Sequence, residues 1–435
     1  MDEILKKRGS ILVKDVIVNK KRSNVFIGEN GKIEELGEDV GTKFQNKAEF
    51  VIEGKSAYAL PGFVNTHTHA AMTLLRGYAD DMQLQPWLSD KIWPLEAHLT
   101  AEDVYSGTRL ACIEMIASGT TTFNDMYFFM DAAARAVDET GIRATLAHGF
   151  IDLSIKEKLE SEIVATENFV RSIKSRNNPR IKPAVGPHAI YTVSEVGLRW
   201  CSEFAKNEEI GIHIHLSETE GEVNDSVKAK GKRPPEVLND CGILTDKTIA
   251  AHCCWLNIEE CSLLAKKGTH VAHNPVSNMK LAVNKAMPYQ WLKNAKTNVT
   301  LGTDGCASNN NLDMIEEMKF AALLQKFASN DPTILPADEV LKMGSAAGAS
   351  ALGMGATSIA VGQPADIILI DPEVPMNTPI HNPVSNLVYS CNGSVVRTTI
   401  CDGRVLMLDR IIPNEQEIRD EAKISAKSLV ERTLI

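Results

Sequence analysis

The chain has no run of roughly 18 consecutive apolar residues, the length a membrane-spanning helix needs, so no bilayer span is expected in its 435 residues. It also lacks an excess of positive charge. Lys and Arg number 46 against 56 Asp and Glu, a net charge of −10, and such a surface repels phosphate backbones, so nucleic acid is not an expected partner. None of the nine cysteines falls in a CxxC pair, the count is odd, and Cys253 and Cys254 are adjacent. That pattern suits reduced thiols in a cytoplasm rather than a disulfide framework. The opening MDEILKKRGS puts acids ahead of its basic cluster and has no apolar stretch, so it does not read as an export signal. Nor is the chain poor in core material. Hydrophobic residues make up 44% and charged residues 23%, which excludes a disordered or fibrous protein.

What is present falls into two patterns. Residues 11–20, 24–27, 48–52 and 57–60 are short β-branched runs, with Glu29-Asn30-Gly31 as a hairpin signal. The style returns near the end at 366–370, 384–389, 394–401 and 404–408, with Asp402-Gly403 as a tight turn, so the two ends are expected to form one small β-sandwich. Between them, strand-like runs at 63–67, 120–124, 144–148, 181–185, 211–216, 248–252, 270–273 and 298–303 are separated mostly by amphipathic stretches such as 102–117, 131–140, 157–174 and 195–207. Eight strands alternating with helices predict an α/β fold, a (β/α)₈ TIM barrel over 61–356. The composite β-sandwich then takes 1–60 and 357–435, the latter ending in a charged helix at 415–432. Gly54-Lys55-Ser56 resembles the end of a P-loop, but position 49 is Glu where that motif needs Gly. Gly353-Met-Gly355 lacks a third glycine and follows a helix, so neither segment is expected to cradle phosphate.

The chemistry is carried by histidines. In His67-Thr68-His69 two imidazoles two residues apart share a strand face just where a barrel strand opens into its loop. Two hydrogen-bonded core histidines would give the same local pattern. However, seven of the eleven histidines, His67, His69, His148, His188, His215, His252 and His273, fall at or just beyond the C-terminal ends of expected strands. Convergence of that kind indicates a site. His213-Ile-His215 is a second pair, in which His215 is nearer the strand end and is the better ligand, while His213 is the better packed histidine. Asp304 follows the eighth strand and adds a carboxylate, although it could instead cap the next helix. Three imidazoles with one carboxylate suit Zn²⁺, with Fe²⁺ close behind and Mn²⁺ a further candidate, and leave room for a water. Glu218, three residues past His215, is the best general acid/base in the chain, whereas Glu220 and Glu222 read as solvated loop acids.

Together, PGFVNTHTH, HLSET, AAHC, AHNPVSNMKLA and LGTDGCASNNNLDM resemble the metal-dependent amidohydrolase superfamily. Within it they resemble the branch of methylthioadenosine/S-adenosylhomocysteine and 5′-deoxyadenosine deaminases. The resemblance spans nearly the whole chain. It implies metal ligation by His67, His69, His215 and Asp304, and a catalytic set of Glu218, His252 and Asp304. It further implies substrate contacts from Glu96 (to the ribose hydroxyls), His188, Trp87, Ser308, Glu218 and Asp304. Where homocysteine-accepting members carry two arginines, this chain has His148 and, after a shorter loop, Lys158, which disfavours the homocysteinyl substrate. Binuclear members carry a carboxylated lysine at the end of the fourth strand. Here that place reads Ala184-Val-Gly-Pro-His188, with Lys182 further back, so one divalent metal is expected.

The implied reaction converts the adenine of 5′-deoxyadenosine, 5′-methylthioadenosine, S-adenosylhomocysteine or adenosine to hypoxanthine with release of ammonia. The implied partners are a small-molecule nucleoside and a second copy of the chain, as a homo-oligomer (dimer or tetramer). Rival readings are a guanine or other N-heterocycle hydrolase on the same scaffold, and a noncatalytic metal-binding protein. A cytidine-deaminase-type site is excluded by the absence of its HxE…PCxxC signature.

Overall fold

In a computed structural model, residues 4–5 and 7–434 are described; residues 1–3 and 6, part of the charged N-terminal segment read above, lie outside them, as does 435. Four strands come first: β1 (Ile11–Val18), β2 (Lys21–Ile27), β3 (Ile33–Gly37) and β4 (Phe50–Pro61). Eight follow: β5 (Phe63–Thr68), β6 (Thr120–Tyr127), β7 (Arg143–Phe150), β8 (Ile181–Pro187), β9 (Gly211–Leu216), β10 (Thr248–His252), β11 (His270–His273) and β12 (Val299–Leu301). The last three are β13 (Ile367–Ile370), β14 (Val396–Cys401) and β15 (Arg404–Met407).

Strands β5 to β12 pair in chain order and in parallel, making an eight-stranded barrel. Helices cover its outside, so β5 and β6 are buried along their whole length, as parallel strands covered on both faces must be. The seam between β12 and β5 is closed partly by side chains. Thr66 Oγ1 and Thr300 Oγ1 are 2.7 Å apart, Thr303 N donates to Asn65 Oδ1 at 3.1 Å, and Asp304 N donates to the His67 carbonyl at 2.9 Å. That last bond sets Asp304 beside the β5 histidines.

The remaining strands form one seven-stranded sheet in the order β15-β14-β13-β4-β1-β2-β3, built from both chain ends. It packs around its own apolar cluster, which includes Ile11, Val25, Ile33, Ile52, Ile367, Ile400 and Val405. Alternation divides β13 cleanly: Ile367 and Leu369 enter that cluster, while Ile368 and Ile370 join the barrel's core. The runs 48–52 and 57–60 merge into the single strand β4. Gly54 within it lies against a bulge in β1, where a Cβ would meet the Lys14 carbonyl at 2.3 Å. The segment 384–389, expected as a strand, is instead the helix Pro383–Tyr389. Asn382 Oδ1 accepts from Val384 N and Ser385 N, and Pro383 sits at the first helical position, so a cap and a preset φ outweigh the β-branched composition.

Barrel and sheet are joined by a buried ion cluster. Arg143 at the start of β7 donates from Nε to Asp366 at 3.0 Å and from Nη2 to Asp402 Oδ1 at 2.8 Å. The Asp366 carboxylate is wholly buried. Removing one member of such a cluster strands the other charges in low dielectric, so Arg143→Met is expected to lower the unfolding free energy by about 3–5 kcal/mol. Urea titration of the purified protein measures it, and a change below about 1 kcal/mol would show that the cluster does not hold the two parts together.

Candidate active site

The site lies at the C-terminal mouth of the barrel and begins with β5. Period-two alternation turns His67 inward, and His69 follows the strand at the entrance to a 3₁₀ turn, Ala70–Leu75. His215 reaches the same point from the end of β9, and Asp304 from the loop after β12. Three short separations define the cluster: His69 Nε2 to His215 Nε2 at 3.3 Å, His69 Nε2 to Asp304 Oδ1 at 3.4 Å, and His67 Nε2 to Asp304 Oδ1 at 3.5 Å. Donor atoms around a tetrahedral ion bound at about 2.1 Å stand about 3.4 Å from one another.

The other ring nitrogens are already engaged. His69 Nδ1 donates to the Met126 carbonyl at 2.6 Å and His215 Nδ1 to the His188 carbonyl at 2.8 Å. His67 Nδ1 meets His213 Nε2 at 2.7 Å. Protons held at Nδ1 leave all three Nε2 lone pairs aimed at one point, the arrangement that orients imidazole toward a cation. His67 Nε2 is buried without a hydrogen-bond partner, an expensive state that a cation would relieve. Burial pushes the His67 pKa down to about 4 and moves that of His215 down as well, so both rings are neutral. The donor set therefore fits a divalent metal.

Asp304 is buried, which by itself would raise its pKa. The imidazoles of His67, His69 and His252 outweigh that and hold the carboxyl well below its ordinary range. Its Oδ2 accepts from Ser277 Oγ at 2.6 Å and Ser308 Oγ at 3.1 Å, while Gly305 N donates to Oδ1 at 2.7 Å. Glycine at 302 is required for space: a Cβ there would meet the His67 backbone nitrogen at 2.7 Å and Asn274 Nδ2 at 2.8 Å. Gly302→Ala is expected to displace His67 and cut bound metal per chain at least ten-fold, with far-UV circular dichroism unchanged. Full metal content in that variant would mean that His67 tolerates the shift.

Glu218 lies across the mouth from Asp304, its Oε1 3.8 Å from His252 Nδ1. Burial, with a smaller contribution from the Asp304 charge, pushes its carboxyl up to about 8, so it is protonated at neutral pH. His252 Nδ1 accepts from Asn278 Nδ2 at 2.9 Å, and burial lowers its pKa to about 4. Ser217, His252 and Asp304 have φ of 48°, 69° and 62°, left-handed values that non-glycine residues adopt where the surroundings impose them. Glu222 is not the solvated acid expected. It is buried, and its carboxylate accepts from Ser217 N at 2.9 Å and Glu218 N at 2.8 Å, pinning the left-handed turn that carries Glu218. Two unpaired amides at that turn draw the carboxylate inward. Thr219-x-x-Glu222 is a capping-box pattern that could have marked it.

A cavity of about 110 Å³ opens over the cluster, and Glu96, Trp87, His188, Ser308, Glu218 and Asp304 all line it. Glu96 accepts from the Tyr127 hydroxyl at 2.7 Å, and burial lifts its carboxyl to about 7. Trp87 is buried with Nε1 donating to the Ala79 carbonyl at 3.0 Å, and His188 Nδ1 pairs with Thr192 Oγ1 at 2.8 Å. His148 does not reach this cavity. Alternation along β7 turns Ala147 and Gly149 toward the barrel interior and His148 outward, where its Nε2 meets Glu162 Oε2 at 2.7 Å. Lys158 is exposed on the helix Lys156–Ser175 and lines neither this cavity nor the one beside it. His273 is buried and also lines neither. Lys182 donates from Nζ to the Gly353 carbonyl at 2.7 Å and does not line the site cavity. Tyr127, Ser277, Asn278 and Glu222 are the site residues that sequence reasoning left without a role. Ser277 and Asn278 stand inside AHNPVSNMKLA, so the signal for them was present.

Comparison with known proteins agrees with this geometry. The model of the amidohydrolase family matches residues 58–406. A 5′-deoxyadenosine deaminase of Methanoregula boonei is 59% identical over 423 residues, 97% of this chain and 96% of the relative. A 5-methylthioadenosine/S-adenosylhomocysteine deaminase of Archaeoglobus fulgidus is 48% identical over 400 residues, 92% of each chain. Among solved structures, an adenosine deaminase from Xanthomonas campestris with bound zinc superposes with a TM-score of 0.90 at 33% identity, covering 97% of this chain and 98% of that one.

Proposed function

The chain belongs to the amidohydrolase family, and from that membership we propose that it is a metal-dependent hydrolytic deaminase of 5′-substituted adenosines. Its substrates on this reading are 5′-deoxyadenosine, 5′-methylthioadenosine, S-adenosylhomocysteine and adenosine. The observation that carries the reading is a buried, protonated Glu218 facing a cluster of three imidazoles, of which burial keeps His67 and His215 neutral, and one ionised carboxylate. Hydrolysis of an aromatic amine needs both: a proton for the ring and a site that activates water.

His67, His69, His215 and Asp304 would hold one divalent ion, zinc first, with iron(II) or manganese(II) as alternatives. When bound, the ion supplies Lewis acidity toward a water, bringing its pKa to about 7. Glu218 donates its proton to N1 of adenine, which makes C6 electrophilic. Asp304 and His252 orient the attacking water, and Asp304 accepts its proton. That proton passes to the exocyclic amine and ammonia leaves; the remaining hydroxyl proton returns to Glu218 as the C6 oxygen becomes the carbonyl of hypoxanthine. Glu96 takes the ribose hydroxyls, while His188, Trp87 and Ser308 line the base and sugar. Among the described residues no helix is long and apolar enough to cross a membrane. No disulfide joins any of the nine cysteines, which supports a cytoplasmic enzyme; a dimer or tetramer remains part of the proposal.

Ammonia release from a panel tests the reading. The adenosines are expected to give kcat/KM of about 10⁴ M⁻¹s⁻¹ or more, and guanine none. An enzyme with full metal that releases no ammonia from any adenosine would end the proposal.

A further inference from the structure

We propose that Asn278, its amide oriented by the Cys254 thiol, is a positioning residue that holds His252 as the tautomer with its hydrogen on Nε2. In that form His252 donates to the oxygen of the attacking water but can neither accept its proton nor ligate an ion. This deepens the deaminase reading and rests on it. Distances alone leave the role of His252 open. Two sets of side chains at the barrel mouth bring ligand atoms within 4.8 Å of one another: His67, His69 and Asp304, and also His67, His215 and His252. What separates His252 from the ligands is the group at its Nδ1. His69 and His215 each present Nδ1 to a backbone carbonyl, which only accepts and so places the ring hydrogen there. At His252 the neighbour is Asn278 Nδ2, which only donates, at 2.9 Å. A neutral imidazole carries one hydrogen, so accepting at Nδ1 leaves it on Nε2.

An amide can present either end, and Cys254 fixes which end meets His252. Asn278 Oδ1 accepts from Cys254 Sγ at 3.3 Å, closer than the rival acceptor, the His252 carbonyl, 3.8 Å from the same sulfur. Burial pushes the thiol up, so it keeps its hydrogen. Reversing the amide would replace that bond with an N–H against sulfur, a weak acceptor. Cys254 and Asn278 are both buried, so bulk water does not compete. Glu218 Oε1 is 3.8 Å from Nδ1, beyond hydrogen-bond reach, and makes no rival bond to that nitrogen. The backbone keeps the pair in place. His252 and Cys253 have φ of 69° and 54°, consecutive left-handed residues that bring positions 252 and 254 to the same amide. Asn274, one turn before Asn278, accepts from His252 N at 3.2 Å and donates to the Gly302 carbonyl at 2.9 Å. With His252 restricted to donation, Asp304 is left as the group that takes the water's proton.

The test reads the tautomer directly, from proton–nitrogen correlation spectra of zinc-loaded protein labelled at its histidine nitrogens. The His252 signals are assigned by their loss in His252→Asn. The parent is expected to show the Nε2–H form, and an Nδ1–H form would overturn the proposal. Asn278→Leu removes the donor at similar volume. It is expected to populate Nδ1–H and to lower kcat about 10- to 100-fold, with KM changed by less than about three-fold. Cys254→Ala, which frees the amide to reverse, is a milder change that keeps the test available if Asn278→Leu does not fold. It is expected to give a mixture of tautomers and a loss in kcat of about five-fold. Nε2–H as the only tautomer in either folded, zinc-loaded variant would overturn the proposal. Failure of the deaminase reading is distinguishable, because the tautomer is read without substrate, whereas that reading fails when the parent releases no ammonia from any adenosine.

Discussion

Glu218→Gln is expected to lower kcat about 10³-fold while the affinity for a nonreactive substrate analogue changes by less than about five-fold. Loss of a positioned general acid typically costs 10²–10⁴. Glutamine keeps the size and can hydrogen-bond N1, but it has no proton to give. The pH profile carries the same assignment. The acid works when protonated and its pKa is pushed up to about 8, so kcat/KM is expected to hold below that pH and to fall ten-fold per unit above it. Stability has the matching sign. A carboxyl whose folded pKa lies above its unfolded value, about 4.5, destabilises the fold as pH rises through that interval. Glu218→Gln is therefore expected to be at least as stable as the parent above pH 8, which separates lost chemistry from lost folding. A kcat within five-fold of the parent would remove Glu218 from the mechanism.

Stripping the metal with a chelator is expected to abolish turnover, by about 10³-fold or more, since Lewis-acid activation of water is worth several kcal/mol of barrier. Adding back zinc should restore it at one ion per chain. The melting temperature should move with the metal, because an ion present at a thousand times its Kd stabilises the fold by about 4 kcal/mol. The structural basis is the row of Nε2 atoms held open by Met126, His188 and His213, with no lysine in the cavity lining to bridge a second ion. Two ions per chain at full activity would contradict the one-metal site, and undiminished turnover in stripped protein would contradict any metal role.

Much of this was legible before folding. Eight strand positions, the paired histidines on β5 and β9, and Asp304 after β12 could be read because strand alternation and turn chemistry are local properties. The misreadings have local causes too. At 384–389 β-branched composition outvoted the Asn382-Pro383 cap. Glu222 looked like a surface acid because its position four residues after Glu218 says nothing about the two unpaired amides that it answers. His148 sat at the correct end of the correct strand but on the outer face. Which alternate residues face the barrel interior depends on register with β6 and β8, and no single strand carries that information.

The sequence by itself determined the residue types available at the barrel mouth, their order along the chain, and hence the class of chemistry they can do. Tertiary structure alone decided which of seven strand-end histidines converge, how far Glu218's carboxyl is lifted, and that Asn278 meets His252 at Nδ1. Those outcomes depend on burial and on contacts between strands distant in sequence. Desolvation and the charges of neighbouring elements exist only once the barrel has closed.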